Sequence, residues 1–170
     1  MLLLNPLRKL AEHYNYTLRI VAARTERDYE KCNWLLEKLK TCAKKVETIL
    51  YSVEKEPEIL CKLDIGLAPL YKGVWERYKC GFKVINYMAA GVPPVASDYG
   101  EQGRIITNGY DGFLCRNEED WFLKLSTLLQ DAEKRRIMGE NARKTVETKY
   151  SLEENIRKLE EIIIQLSTGG

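Results

Sequence analysis

A chain of 170 residues that is 45% hydrophobic and 31% charged can bury one sizeable core, which excludes a disordered tail. Its net charge of +2 comes from Lys and Arg scattered among Asp and Glu along helical stretches, the pattern of solvated faces, and argues against a nucleic-acid partner. Cys32, Cys42, Cys61, Cys80 and Cys115 are odd in number and include no C-x-x-C pair, and no signal peptide precedes them. They read as reduced thiols of a cytoplasmic protein, with no zinc site. No apolar run approaches the roughly 18 residues of a transmembrane segment.

Taken in order, Leu3, Leu4, Leu7 and Leu10 recur at helical spacing, with Pro6 early enough for a first turn, so the chain opens with a helix that ends near His13. His13, the only histidine, is at such a position a surface residue more often than a catalyst. Residues 18–23 (LRIVAA) then read as a strand, and residues 29–43 as a helix that turns Trp34, Leu35, Leu39 and Cys42 one way and places Trp34 in the core. A second strand is expected over residues 46–51, a short helix over 58–63, and a third strand over 64–70, stopped by Pro69. The polar loop 71–79 bears Trp75, Glu76, Arg77 and Tyr78 at a strand's C-terminal end, where open α/β sheets keep their ligands.

A helix over residues 82–90, a buried strand at 95–97, a helical turn at 104–107 and a strand at 112–115 follow. Three helices close the chain: one through Trp121, Leu125 and Leu128, one through Ile137, Ala142 and Val146, and one from Leu152 to Leu166 with Ser151 as N-cap. Strands alternating with helices predict one α/β domain over residues 1–170, a doubly wound parallel sheet with helices on both faces and C-terminal helices.

The most informative stretch is YKCGFKVINYMAAGVPPVASDYGEQGRIITNGYDG, residues 78–112. Gly81 precedes the apolar helix and Gly91 follows it, then Pro93-Pro94 leads into a strand broken by Asp98, Gly100 and Gly103. A loop that opens a helix gathers unpaired N–H groups and the positive dipole end, so Gly81, Phe82 and Lys83 can hold a phosphate. An ordinary turn is the competing reading.

With DIGLAPL before it, FKVINYMAAGVPPVASDYGEQGRIITNGYDGFL resembles the C-terminal, donor-binding half of retaining glycosyltransferases of the GT-B fold, the group 1 type, and does so in order from Leu2 to Leu166. The resemblance implies a Rossmann-like half-molecule that binds a UDP- or GDP-linked sugar. The sugar is transferred with retention, without an obligatory metal or other cofactor, in the service of polysaccharide synthesis. The family's signature sets two glutamates with seven residues between them, the first on the donor sugar's hydroxyls and the second on the ribose, with backbone amides between them for the diphosphate. Counted back from Met88-Ala89-Ala90-Gly91, those glutamate positions hold Tyr78 and Asn86 here, and Gly81 and Phe82 match the amides. Asn86 can still bond a ribose hydroxyl, Tyr78 offers one phenolic oxygen, and Glu76 stands two residues earlier. Lys83 is placed to meet the diphosphate or to be a solvated lysine; Gly100, Glu101 and Gln102 are placed to approach the sugar or to cap a helix.

That family's half begins with a central strand and a loop carrying an arginine and a lysine for the phosphates, and this sequence starts within the helix that follows. The resemblance therefore implies a sheet without its middle strand, covered by a separately encoded N-terminal half, by self-association or by rearrangement. It leaves two functions: the donor-binding half of a glycosyltransferase working with a partner, or a non-catalytic remnant that binds nucleotide weakly or only associates with proteins.

Overall fold

The computed structural model describes residues 2–23, 30 and 33–168. Helix α1 (Leu4–His13) buries Pro6, Leu7 and Leu10, the face its leucine spacing predicts, and ends where the Tyr14 N–H donates to the Leu10 carbonyl at 2.8 Å. Strand β1 (Thr17–Ala23), helix α2 (Asn33–Lys40), strand β2 (Lys45–Leu50) and the short helix α3 (Glu56–Leu60) follow. Of the helix expected over 29–43, Tyr29, Lys31 and Cys32 lie outside the described residues. Trp34 is not in the core: it is 62% exposed, because burial of Leu36, Leu39 and Cys42 fixes the rotation of α2 and turns Trp34 outward. There the Lys38 ammonium lies 5.2 Å from its ring centroid.

The second part runs β3 (Gly66–Ala68), α4 (Val74–Arg77), α5 (Phe82–Ala89), β4 (Pro94–Ser97), α6 (Gln102–Ile105), β5 (Phe113–Cys115), α7 (Glu118–Gln130), α8 (Ala132–Lys149) and α9 (Leu152–Thr168). The stretch 71–79, expected as loop alone, thus holds one helical turn, α4. The last three helices begin on side-chain caps, in which Asn117 accepts from the Asp120 N–H at 2.8 Å, Asp131 from Lys134 at 2.8 Å and Ser151 from Glu154 at 3.2 Å. In α8 the buried positions are Met138, Gly139, Ala142 and Thr145, which recur on one face of the helix, and this rotation leaves Ile137 45% exposed rather than in the core. Helix α9 buries none of its described side chains, so its apolar row faces outward. No helix among the described residues is long and apolar enough to cross a membrane.

All strand pairs are parallel. In the sheet β3-β4-β5, central β4 is buried along its whole length, as a strand covered on both faces must be. Its residues alternate between two cores. Val95 and Cys115 pack with Leu10, Trp121 and Leu125, whereas Ala96 packs with Val84, Met88 and Ala142 on the other face. The doubly wound arrangement is therefore present in this half.

The strands fall into two groups, in line with the expected sheet without its middle strand. β1 and β2 form a separate pair, with Thr17 opposite Lys45 and Val21 opposite Ile49, and no strand joins β1 to β3 among the described residues. Between them lies a cavity of about 920 Å³, walled by α1 through Leu3, Leu7 and Leu10, by β1, by Ile65 and Leu67 beside β3, and by Leu125 and Leu129 of α7. Leu18 and Ile20 of β1 join the first core, which holds the two sheets together across this slot.

Candidate functional site

The site is built where α5 begins. Gly81 has φ 69° and ψ 15°, the left-handed region, which costs an L-residue roughly 1–2 kcal/mol. A Cβ there would also overlap the Ile105 side chain, so glycine is required for conformation and for space alike. No side chain caps the helix. The Val84 and Ile85 N–H groups donate to the Gly81 carbonyl at 2.8 and 3.2 Å, so the helical ladder begins at Val84. The N–H groups of Phe82 and Lys83 are left at the positive end of the helix dipole.

Two further elements converge there. Gly100, at φ 61°, follows β4, and a Cβ on it would lie 3.0 Å from the Arg77 carbonyl oxygen, so this loop rests on the end of α4. The backbone nitrogen of Gln102 is 3.9 Å from the place a Gly81 Cβ would take. The segments bearing Tyr78, Gly81, Gly100 and Gln102 are thereby gathered against one another. Their side chains are placed differently. Tyr78 is 78% and Phe82 64% exposed, while Glu101 pairs with Arg104 at 3.5 Å. Gln102 is buried: with its amide nitrogen toward the strands it donates to the carbonyls of Ala68 at 3.1 Å and Ser97 at 3.2 Å, tying α6 to β3 and β4. Glu76 pairs with Lys79 at 3.5 Å.

The other faces of α5 are divided by its periodicity. Val84 and Met88 enter the core, while Lys83, Asn86 and Tyr87 line the cavity. Tyr87 donates to the Leu67 carbonyl at 3.3 Å, and its ring lies so close to Gly66 that a Cβ there would overlap it. Burial, with the nearby Glu56 charge adding to it, pushes the Tyr87 phenol up to about 12. Asn86 donates through Nδ2 to Glu56 Oε1 at 3.3 Å, and Glu56 Oε2 accepts from the Tyr51 hydroxyl at 3.0 Å. Glu56 has no counterpart in the sequence reading. It lies thirty positions from Asn86 at the start of a five-residue helix, and nothing in its local pattern points across the cavity. His13 stands at the exposed end of α1, edge-on to Phe122 with ring centroids 6.4 Å apart.

Comparison with known proteins gives a consistent family and fold. No curated protein sequence matches the chain. Among solved structures it is similar to the C-terminal domain of the group 1 glycosyl transferase LpcC from Francisella tularensis, with a TM-score of 0.71 and 22% identity over 88% of this chain and 77% of that one. It is similar to Anabaena Alr3699/HepE in complex with UDP-glucose, at TM-score 0.68 and 18% identity over 96% of this chain and 44% of that one. WaaG, a glycosyltransferase involved in lipopolysaccharide biosynthesis, aligns at TM-score 0.66 and 22% identity over 98% of this chain and 42% of that one. The chain spans less than half the length of the latter two proteins, and its parallel strands with a long C-terminal helix match the C-terminal Rossmann-like domain of the GT-B fold. The family description "Glycosyl transferases group 1" covers residues 1–131, so α1 through α7 lie within it, and the chain belongs to the group 1 glycosyl transferases.

Proposed function

We propose that the chain is the donor-binding half of a retaining glycosyltransferase, taking a UDP- or GDP-linked sugar at the start of α5. The observation that carries this reading is the uncapped, left-handed Gly81 start, which opens the helix that brings Lys83 and Asn86 to the wall of a cavity. The diphosphate lies on the Gly81–Lys83 amides with the Lys83 ammonium beside it. Negative charge accumulates on that diphosphate as the bond to the sugar breaks, and fixed N–H dipoles stabilise it without reorganising. Tyr78 and the backbone of the Gly100-Glu101 loop flank the sugar. The complex of HepE with UDP-glucose supports a nucleotide-sugar donor, and the part of WaaG in lipopolysaccharide biosynthesis supports a role in building polysaccharide, which the proposal places in the cytoplasm.

Acceptor groups and the phosphate-gripping cations are supplied by a second half. The slot between β1 and β3, across which no strand runs among the described residues, fits this organisation. Nucleotide binding without transfer is the second reading. It is favoured by the neutral Tyr78 and Asn86 at the two positions where carboxylates are expected.

Thermal unfolding with UDP, GDP and UDP-glucose tests the site. Ligand at about 100 times its Kd adds about 2.7 kcal/mol, so the melting temperature rises. No rise at millimolar concentration of any of them refutes donor binding. Binding without sugar transfer when an N-terminal half is supplied selects the second reading.

A further inference from the structure

Glu56 is a carboxylate on the cavity wall that faces the proposed nucleotide from a different element, α3, and this inference rests on the donor-binding reading above. We infer that Glu56 and Asn86 together form the ribose clamp of the site, with Glu56 supplying the charged acceptor that α5 does not carry. Its ligand class is a ribonucleoside diphosphate, recognised through the vicinal hydroxyls.

Several independent features converge on this role. Lys83 and Asn86 are one turn apart on the same face of α5, a rise of about 4.5 Å from the phosphate end toward Asn86. At Asn86 the amide nitrogen is already committed, since it donates to Glu56 Oε1 at 3.3 Å, which leaves Oδ1 as the acceptor of that amide. Glu56 Oε2 takes the Tyr51 hydroxyl at 3.0 Å, which fixes the carboxylate in place. Each carboxylate oxygen has a second lone pair, so both stay open to a further donor after these bonds are made. Glu56 is half-buried, and water competes less for its oxygens than at an open surface. The arrangement therefore presents adjacent acceptors, one of them charged, to a pair of hydroxyl donors. A hydrogen bond to the charged acceptor is roughly twice as strong as one to a neutral oxygen. The carboxylate missing from α5 is thus supplied across the cavity, on a segment with no sequence motif of its own.

The test compares UDP, its 2′,3′-dideoxy analogue and inorganic pyrophosphate as ligands of the full chain by titration calorimetry, for the parent, Glu56→Gln and Glu56→Asp. The parent is expected to prefer UDP to the dideoxy analogue about tenfold. Glu56→Gln should lose that preference by weakening UDP about tenfold, with pyrophosphate affinity unchanged, and Glu56→Asp should recover part of it. Far-UV circular dichroism confirms that each variant is folded; if Glu56→Gln is not, Glu56→Asp and the dideoxy comparison on the parent decide. If Glu56→Gln binds UDP like the parent, or loses pyrophosphate to the same degree, the ribose clamp is wrong while donor binding stands. If the parent binds neither UDP nor pyrophosphate, the donor-binding reading itself falls and the clamp falls with it.

Discussion

Gly139 lies in the interior of α8, where helix propensity alone says that alanine should be better by about 1 kcal/mol. The packing says the opposite. A Cβ at Gly139 would overlap the Gly91 carbonyl oxygen, fall 3.0 Å from its carbonyl carbon and reach 3.5 Å from Pro93 Cδ. Gly91 is itself left-handed at φ 70°, closing α5, so the obstacle is backbone and cannot rotate away. Relief requires α8 to move off α5, which loosens Met138 and Ala142 in the two cores on either face of the sheet. Overpacking of this kind costs about 1–3 kcal/mol, and more where backbone must shift. Because the obstacle here is backbone, the cost falls at the upper end, about 2–3 kcal/mol, and set against the propensity gain of about 1 kcal/mol Gly139→Ala is expected to destabilise by about 1–2 kcal/mol. At about 2–4 °C per kcal/mol for a chain of this size, its melting temperature drops by about 2–8 °C. Urea unfolding followed by circular dichroism at 222 nm measures this directly. A midpoint equal to or above that of the parent would show that α5 and α8 do not approach as described.

Two further predictions concern polar groups. Asp111 is fully buried and accepts from the Thr107 N–H at 2.7 Å and the Thr145 hydroxyl at 2.8 Å, pinning the turn before β5 to α8. Asp111→Ala strands both donors and is expected to cost about 3 kcal/mol or more, Thr145→Val about 1.5–3 kcal/mol, with a double mutant clearly milder than the sum. Strict additivity in urea unfolding would deny the pairing. Glu47 on β2 is hydrogen-bonded by Lys45 and then by Arg19, which lower its carboxyl from an ordinary 4.5 to about 2. A depressed carboxyl contributes stability above its unfolded value and loses it as pH falls through the folded value, so the β1-β2 contribution fades between about 4.5 and 2. Glu47→Gln should flatten the fall of the urea midpoint over that window, and an unchanged slope would discount the pair.

Much of the architecture is legible because burial imposes a period. Leu7 and Leu10 mark the inner face of α1, and the unbroken apolar run of β4 announces a strand covered on both sides. Trp34 and Ile137 mislead for one reason: each is large and apolar, but smaller neighbours, Leu36 with Cys42 and Met138 with Ala142, set the helix rotation. At the site, Gly81 is legible since few other residues open a helix at φ 69°. The burial of Gln102 is not, because a four-residue helix carries no periodic signal and its partners, the Ala68 and Ser97 carbonyls, belong to other strands. Glu56 is hidden for the same reason. Its meaning depends on Asn86 and Tyr51, which local sequence does not bring to it.

The slot and the candidate site share one cavity, and this has a physical consequence. Lys83, Asn86 and Tyr87 wall one part of it, and Leu3, Leu7 and Leu10 of α1 wall another. Tyr87 belongs to both environments: it faces the cavity while its hydroxyl holds the Leu67 carbonyl beside the unpaired edge of β3. Parallel strands are stable when both faces and both edges are satisfied, and among the described residues no strand lies between the edges of β1 and β3 that flank the slot. Any polypeptide that paired with β3 there would fix Leu67, hence Tyr87, hence the ligand face of α5. The opposite face of α5 is already held by Val84 and Met88, both fully buried in the second core, and close-packed interiors transmit shifts rather than absorb them. Strain or order introduced in the slot is therefore transmitted to Asn86 and Lys83 rather than dissipated, so the completeness of the sheet and the geometry of the nucleotide site are one mechanical problem.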